Sequence, residues 1–140
     1  MITSLSELIS QVESAGKISA LRYEPAYHPD TRAYSLAKKY WPGLSLLTYD
    51  TVLGSSWGQF QIMGDNLYLL GLDRPILDFW QSHDLQVRFF NLFIQQRNIN
   101  YTLDDVLHDE GKRRDFAHHY NGNVDAYSAA MLRAYAAGHA

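Results

Sequence analysis

The chain has no cysteine, which excludes a disulfide framework and a zinc site built on thiolates. No apolar run reaches the length of a membrane-spanning helix, and the amino terminus carries no basic region ahead of a long apolar stretch. The longest run of like charge is Lys112-Arg113-Arg114, and the formal net charge is only -3. These absences predict a soluble chain with no signal peptide, no membrane insertion and no nucleic-acid partner.

The residues that are present suit one helical domain. The 140 residues, 46% of them hydrophobic, are enough to bury a core within a single domain spanning residues 1–140. Apolar residues recur at helical spacing from end to end, whereas no sustained alternation of Val, Ile or Thr with polar residues indicates strands. The sequence therefore predicts an all-α, single-domain fold.

The first helix has the clearest signals. Ser4 followed by Glu7 is typical of a capping box, and Gly16 is expected to end the helix. Its apolar residues fall at i, i+3, i+4 and i+7, the spacing of an amphipathic helix: Leu5, Leu8, Ile9 and Val12.

Further helices are expected along the rest of the chain, around one central element. The segment 82–97 has too wide an apolar stripe for a surface helix, so we expect it to be buried at the centre of the core. A loop that runs up to Ser56 is expected to follow the second helix, which Pro42-Gly43 should stop. The remaining predicted helices run from Asp30 to Trp41, from Thr102 over a short stretch, from Lys112 to Tyr120, and over 125–137.

Glu13 is the most informative single residue. It follows Val12 in the last turn of the first helix, at the border of the apolar face, so its carboxyl group should be half-buried. Desolvation and the negative end of the helix dipole both disfavour the ionised form and raise the pKa. A carboxylic acid that stays protonated can donate a proton to a glycosidic oxygen. From position alone, a water-exposed glutamate that ends the helix is the alternative.

Several separated segments match one family pattern. The segments VESAG (12–16), SSWGQFQIMGDN (55–66) and FAHHYNG (116–122) follow one another in the chain, and RYEPAYH (22–28) lies between the first two. In this order they resemble the phage and bacterial N-acetylmuramidase family of the lysozyme-like superfamily, which also contains goose-type lysozymes and soluble lytic transglycosylases. The resemblance covers nearly the whole chain and implies a lysozyme-like fold with a saccharide-binding groove. Ala15 departs from it, standing where the family usually has Gly.

The resemblance also implies roles for individual residues. It makes Glu13 the catalytic acid and Glu24 a second catalytic carboxylate, which could instead form an ion pair with Arg22. Amide groups can exchange hydrogen bonds with sugar hydroxyls, glycine allows close backbone approach, and aromatic rings can lie against a pyranose. The residues that it places along the saccharide groove are Ser56, Trp57, Gly58, Gln59, Phe60, Gln61, Tyr120 and Asn121. Trp57 and Tyr120 could instead belong to the core. The side chains of Phe60, Ile62 and Met63 are expected to pack inward.

The other polar candidates carry less weight. Asp50 and Asp65 are candidates for the second catalytic carboxylate only by their position in the chain, and structural roles in turns or helix caps suit them better. His118 and His119 are adjacent, so on a helix they point to different faces and do not indicate joint metal ligation. We predict no metal and no cofactor.

Three functional hypotheses follow. The first is a hydrolase that cuts peptidoglycan between N-acetylmuramic acid and N-acetylglucosamine, and the second is a lytic transglycosylase in which the muramic 6-hydroxyl replaces water. The third is a glycan-binding structural module without turnover. Glu13 and Glu24 argue against it, because a module without chemistry has no need for a half-buried acid.

Partners and location follow from the same resemblance. The expected partner is bacterial peptidoglycan, acted on by a monomer at the cell wall in the periplasm or outside the cell. Lack of a signal peptide suggests release by a holin-type or other delivery partner. The net charge of -3 opposes approach to an anionic wall, so a local basic patch is expected at Lys38-Lys39 or at Lys112-Arg113-Arg114.

Overall fold

The computed structural model describes residues 1–139, and within them nine helices surround one core beside a small three-stranded sheet. None of these helices is long and apolar enough to cross a membrane. The elements are α1 (Leu5–Ser14), β1 (Leu21–Tyr23), α2 (Arg32–Tyr40), α3 (Leu46–Leu53), β2 (Ser55–Trp57), β3 (Ile62–Met63), α4 (Gly64–Leu69), α5 (Ile76–Trp80), α6 (His83–Gln96), α7 (Leu103–His108), α8 (Glu110–Tyr120) and α9 (Val124–Gly138). The predicted helical single-domain fold is confirmed, while the sheet was not predicted.

The ends of α1 differ slightly from the prediction. The Ser4 hydroxyl accepts the backbone N–H of Glu7 at 3.2 Å, but the Glu7 carboxylate accepts from the Thr3 hydroxyl at 2.9 Å and from the Thr3 N–H at 3.4 Å instead of from the backbone N–H of Ser4. The last helical residue is Ser14, and the C-cap is Ala15, which has φ 53° and stands one residue before the expected Gly16. The reason is that two successive residues take the left-handed conformation, and the first of them is not glycine.

Three short helices, α3, α4 and α5, lie where the sequence showed no helix. They are eight, six and five residues long, which is too short for helical periodicity to stand out. The expected loop up to Ser56 is therefore wrong, because α3 occupies most of it. At its start the Ser45 hydroxyl accepts the Thr48 N–H at 3.1 Å, an ordinary helix cap.

The predicted central helix is confirmed as α6. Phe89, Phe90 and Phe93 are buried along it. The ring of Phe60, from the Ser55–Asn66 segment, stacks on Phe90 with centroids 4.5 Å apart, and Phe79 of α5 meets Phe89 edge-on at 5.8 Å. Aromatic packing on α6 thus joins the middle of the chain to the core.

A glutamine buried in α6 holds the segment that follows β2. The Gln86 side chain is fully buried, and its Oε1 accepts the backbone N–H of Gln59 at 2.8 Å. Its Nε2 donates to the carbonyl of Ile18 at 3.0 Å. At Gly58, φ is +78° and a Cβ would lie 2.5 Å from Gln86 Oε1, so only glycine fits there. The amide contact therefore sets the path of the chain through Gly58 and Gln59.

The sheet is antiparallel, with β2 between β1 and β3. Its register puts Arg22 opposite Ser56 and Ser56 opposite Met63, and the next row joins Leu21, Trp57 and Ile62. Since neighbouring residues on a strand point to opposite faces, these two rows face different surroundings.

We expect Gln86→Leu to lower the free energy of unfolding by roughly 3 kcal/mol, because the apolar side chain leaves the buried Gln59 N–H and the carbonyls around it without partners. Chemical denaturation of the variant measures this loss. Gln96→Leu, an exposed change on the same helix, is the matched control and should cost well under 1 kcal/mol. Equal stabilities of the two variants would contradict a holding role for Gln86.

Candidate active site

Two adjoining cavities form one groove on the surface. Their volumes are about 400 Å³ and about 490 Å³. We call them together the groove, because six residues line both of them: Glu13, Tyr27, Gln61, Met63, Tyr120 and Asn121. Helices α1 and α8, strand β3 and the loops beside β1 and β3 supply these residues, so the site is assembled from distant parts of the chain.

Glu13 stands in the wall of the groove, in the last turn of α1. Its side chain is half-buried, as predicted, and its Oε2 accepts the hydroxyl of Tyr127 from α9 at 2.6 Å. Burial raises the pKa of this carboxyl group, and the hydrogen bond from Tyr127 opposes that rise only in part. The acid is thus protonated over a wider pH range than an exposed glutamate.

The sheet divides its side chains between groove and core. Arg22, Ser56 and Met63 form one row across the three strands, and all three line the groove. The adjacent residues Trp57 and Ile62 are buried in the other row, although Ile62 is also among the residues that line the groove. Met63 was expected to pack inward, and its position in the groove-facing row corrects that expectation.

Gln61 lies in the groove with an unusual backbone. Its φ is +53°, a left-handed conformation that residues other than glycine seldom take. Two hydrogen bonds hold its amide: Oε1 accepts from the Ser56 hydroxyl at 2.7 Å, and Nε2 donates to the carbonyl of Gly58 at 2.9 Å. Backbone strain kept in place by such contacts is a feature of functional sites.

Tyr120 and Asn121 close the other side of the groove at the end of α8. The Tyr120 hydroxyl donates to the carbonyl of Phe60 at 2.9 Å, and its ring stacks on Phe116 with centroids 5.3 Å apart. Burial raises the pKa of Tyr120 well above its ordinary value, so the phenol stays neutral. Tyr120 is therefore both a core residue and a groove residue, while Asn121 is exposed.

Glu24 lines the same groove and is held by an ion pair. Its Oε1 is 3.1 Å from Nε of Arg22, and its side chain is 37% exposed. The backbone N–H of Glu24 donates to the carbonyl of Gly54 at 3.0 Å, continuing the edge of the sheet. Both features foreseen in the sequence are present together: a second carboxylate in the groove and its pairing with Arg22.

Three residues expected along the groove lie elsewhere. Trp57 is in the core, where its indole N–H donates to the carbonyl of Val52 at 2.9 Å. Gly58 is buried against Gln86, so close packing, not substrate approach, accounts for the glycine. Gln59 is buried too, and it lines a separate cavity of about 660 Å³ that does not include Glu13.

Hydrogen bonds explain the position of Gln59. Its Oε1 accepts from the Ser10 hydroxyl at 3.1 Å, and its Nε2 is 2.8 Å from Nδ1 of His83. The Ser14 hydroxyl donates to its backbone carbonyl at 2.9 Å. Gln59 therefore joins α1 to the start of α6 behind the groove.

The two further aspartates have structural partners. Asp65 is buried and accepts from the Tyr27 hydroxyl at 2.7 Å and from the Asp30 N–H at 2.9 Å, which fixes Tyr27 in the groove wall. Asp50 accepts a hydrogen bond from the Tyr34 hydroxyl. Neither carboxylate lines the groove.

Sequence reasoning did not assign Tyr127, Tyr27 or Arg97 to the site. Tyr127 is 114 residues from Glu13, and the sequence indicated only the last helix, over 125–137, to which it belongs. Arg97 lies just beyond α6 and lines the groove. Only Tyr27 had a local signal, since it belongs to the segment RYEPAYH, whose resemblance drew attention to Glu24 alone.

Comparisons with known proteins find related sequences. A family model described as N-acetylmuramidase matches residues 45–138, which is more than half of the chain. An endolysin of Enterobacteria phage PRD1 is 33% identical over 144 residues, covering 94% of this chain and 93% of that protein. No solved structure gives a significant match. The family match includes Ser56, Gln61 and Tyr120, whereas Glu13 and Glu24 precede the matched range.

The buried acid predicts a pH-dependent stability difference. Because the folded pKa of Glu13 is raised above 4.5, the stability that the protonated acid contributes is complete below that pH and is lost as pH rises through the folded pKa. Glutamine cannot ionise. We therefore expect the Tm of Glu13→Gln, relative to the parent, to increase between about pH 4 and about pH 8.

Glu110→Gln, an exposed change, controls for the loss of one carboxylate charge. Thermal unfolding of the three proteins at both pH values provides the comparison. A constant difference between Glu13→Gln and the parent across this range would contradict a raised pKa at Glu13.

Proposed function

Because this chain belongs to the N-acetylmuramidase family, whose members are glycosidases that degrade peptidoglycan, we propose that Glu13 is its general acid. The bond cut is the β-1,4 linkage between N-acetylmuramic acid and N-acetylglucosamine. Residues 1–140 form the catalytic domain in this proposal. The observation that carries it is a half-buried carboxyl group with a raised pKa in the wall of the groove.

The surroundings of Glu13 suit both states of an acid catalyst. Burial keeps the proton on the carboxyl group until a glycosidic oxygen accepts it. After transfer, the hydroxyl of Tyr127 donates to the carboxylate and stabilises the charge. Tyr127 therefore positions the acid and does not itself exchange protons, since its own pKa is raised well above the ordinary value by burial and by Glu13.

Polar groups of the groove supply hydrogen bonds for sugar. Ser56 and Gln61 bond to each other, yet the Gln61 amide keeps one N–H and acceptor capacity beyond those two bonds. Asn121 is exposed beside them; its Oδ1 accepts the backbone N–H of Asn123 at 3.1 Å, which leaves its amide N–H donors for a ligand. These side chains suit the hydroxyl and N-acetyl groups of an amino sugar. The substrate contacts that we propose come from Ser56, Gln61, Tyr120 and Asn121.

Glu24 supports hydrolysis as the reaction. A second carboxylate in the same groove can orient water or stabilise positive charge at the anomeric carbon. One observation favours a second candidate, lytic transglycosylation. Arg22 already pairs with Glu24, which leaves Glu13 as the groove carboxylate without a basic partner, and a transglycosylase can use one carboxylate as acid and then as base.

The biological setting that we propose is lysis of the cell wall. The PRD1 relative is named an endolysin, and a phage-type release through a holin-type partner fits such a protein. The enzyme acts as a monomer in this proposal, because Glu13 and the polar groups around it come from one chain.

Glu13→Gln should abolish wall lysis while preserving the fold. The amide keeps the size of the side chain but has no transferable proton, so the rate should fall by about 10²-fold or more. Turbidity of a cell-wall suspension measures the rate, and circular dichroism checks the fold. Glu110→Gln should lyse at the parent rate. Clearing by Glu13→Gln at the parent rate would exclude Glu13 as the acid.

Product analysis separates water from the muramic 6-hydroxyl as the nucleophile. We expect muropeptides with free reducing ends, detected by mass spectrometry of a digest of purified peptidoglycan, and a loss of most hydrolysis in Glu24→Gln. Detection of products that end in 1,6-anhydromuramic acid would show that the reaction is transglycosylation and not hydrolysis. Near-parent activity of Glu24→Gln with reducing-end products would remove Glu24 from the reaction and retain water.

A further inference from the structure

Arg97 is a cation in the groove whose charge has no carboxylate partner in the described part of the chain. It follows the last residue of α6 and lines the same cavity as Glu13, Tyr27 and Tyr120. Its guanidinium lies over the ring of Phe93, 4.1 Å from the centroid. Within residues 1–139, no acidic oxygen lies within 4.0 Å of it, and its Nε–H is buried without an acceptor.

The two expected basic patches lie outside the groove. Lys38 and Lys39 line neither of its cavities. In the run expected to attract an anionic wall, Lys112 pairs with Asp105 at 3.1 Å and Arg114 with Asp125 at 2.8 Å. Arg113 is buried and donates to the hydroxyl of Ser128 and to backbone carbonyls. That expected patch is therefore largely neutralised, and it contributes no residue to the groove.

Among the arginines and carboxylates that line the groove, one positive group is left, beside the ring nitrogens of His118 and His119. Arg22 and Glu24 cancel each other as an ion pair. Glu13 is uncharged while it holds its proton, which its raised pKa favours. Arg97 then remains as a fixed positive charge, held over Phe93 by stacking so that little freedom is lost when it binds an anion.

We propose that Arg97 binds a carboxylate on the muramic acid side of the substrate and so selects peptidoglycan over neutral amino-sugar polymers. A guanidinium matches a carboxylate with two parallel N–H donors, which lysine cannot reproduce. The inference rests on the proposed function, because it assigns a substrate group to the same groove.

The carboxylate has two possible sources with the same chemistry. In peptide-free glycan strands it is the lactyl carboxylate of muramic acid. In intact peptidoglycan the lactyl group is joined to the stem peptide through an amide bond, so the carboxylates belong to the peptide. A chitooligosaccharide has neither, and it therefore provides a neutral ligand of similar sugar shape.

The test measures binding in a Glu13→Gln background, where turnover is removed. Isothermal calorimetry compares peptide-free glycan strands, a soluble disaccharide-peptide fragment and a chitooligosaccharide. Adding Arg97→Gln should weaken binding of at least one anionic ligand by about tenfold and leave the chitooligosaccharide unchanged. The ligand that loses affinity identifies the source of the carboxylate. Arg97→Lys should restore part of the affinity, since lysine keeps the positive charge but lacks the two parallel N–H donors of the guanidinium.

Arg88→Gln is the matched control, an exposed arginine on α6 that does not line the groove. It should leave all three affinities unchanged, and melting temperatures show whether each variant is folded. Equal weakening of all three ligands in Arg97→Gln, or no weakening of either anionic ligand, would overturn the proposal. Lysis by the parent enzyme tests the proposed function separately, so the two can fail independently.

Discussion

The contact between the buried amide of Gln86 and the backbone at Gly58 and Gln59 is the constraint on which the groove depends. A buried amide must satisfy its donors and acceptor, and Gln86 does so by accepting from Gln59 and donating to carbonyls of other segments. This contact fixes a short stretch of chain whose carbonyls are themselves acceptors. Ser14 next to Glu13 donates to one of them, and Tyr120 donates to the carbonyl of Phe60. The acid and the opposite wall of the groove are thus both held to one backbone segment.

The electrostatic character of the site follows from that assembly. Glu13 is placed where aromatic side chains exclude water, and desolvation outweighs the hydrogen bond from Tyr127 in setting its pKa. A half-buried acid lowers stability at neutral pH, so its presence is explained better by function than by folding. Tyr120 and Tyr127 remain neutral and supply a wall of low polarity with one hydrogen-bond donor aimed at the acid.

Local charge, not net charge, describes how the groove meets an anionic polymer. The chain carries a formal net charge of -3, and the basic run near the start of α8 is paired internally. Within the groove, however, one arginine remains without a carboxylate partner among residues 1–139. At physiological salt, exposed charges more than about 8 Å away are largely screened, so a cation inside the site matters more than distant acidic residues.

The amino-acid sequence by itself determined the helical class, the central helix α6 and the position of Glu13 at the end of α1, because helical periodicity and capping are local properties of the chain. The family resemblance added Glu24, Ser56, Gln61, Tyr120 and Asn121, all of which line the groove. Only the tertiary structure decided which neighbours in SSWGQFQ face the groove. Strand pairing turns Ser56 toward it and Trp57 away, and Gln86 draws Gly58 and Gln59 inward. The roles of Tyr127 and Arg97 also depend on contacts between residues far apart in the chain, and no local pattern contains such contacts.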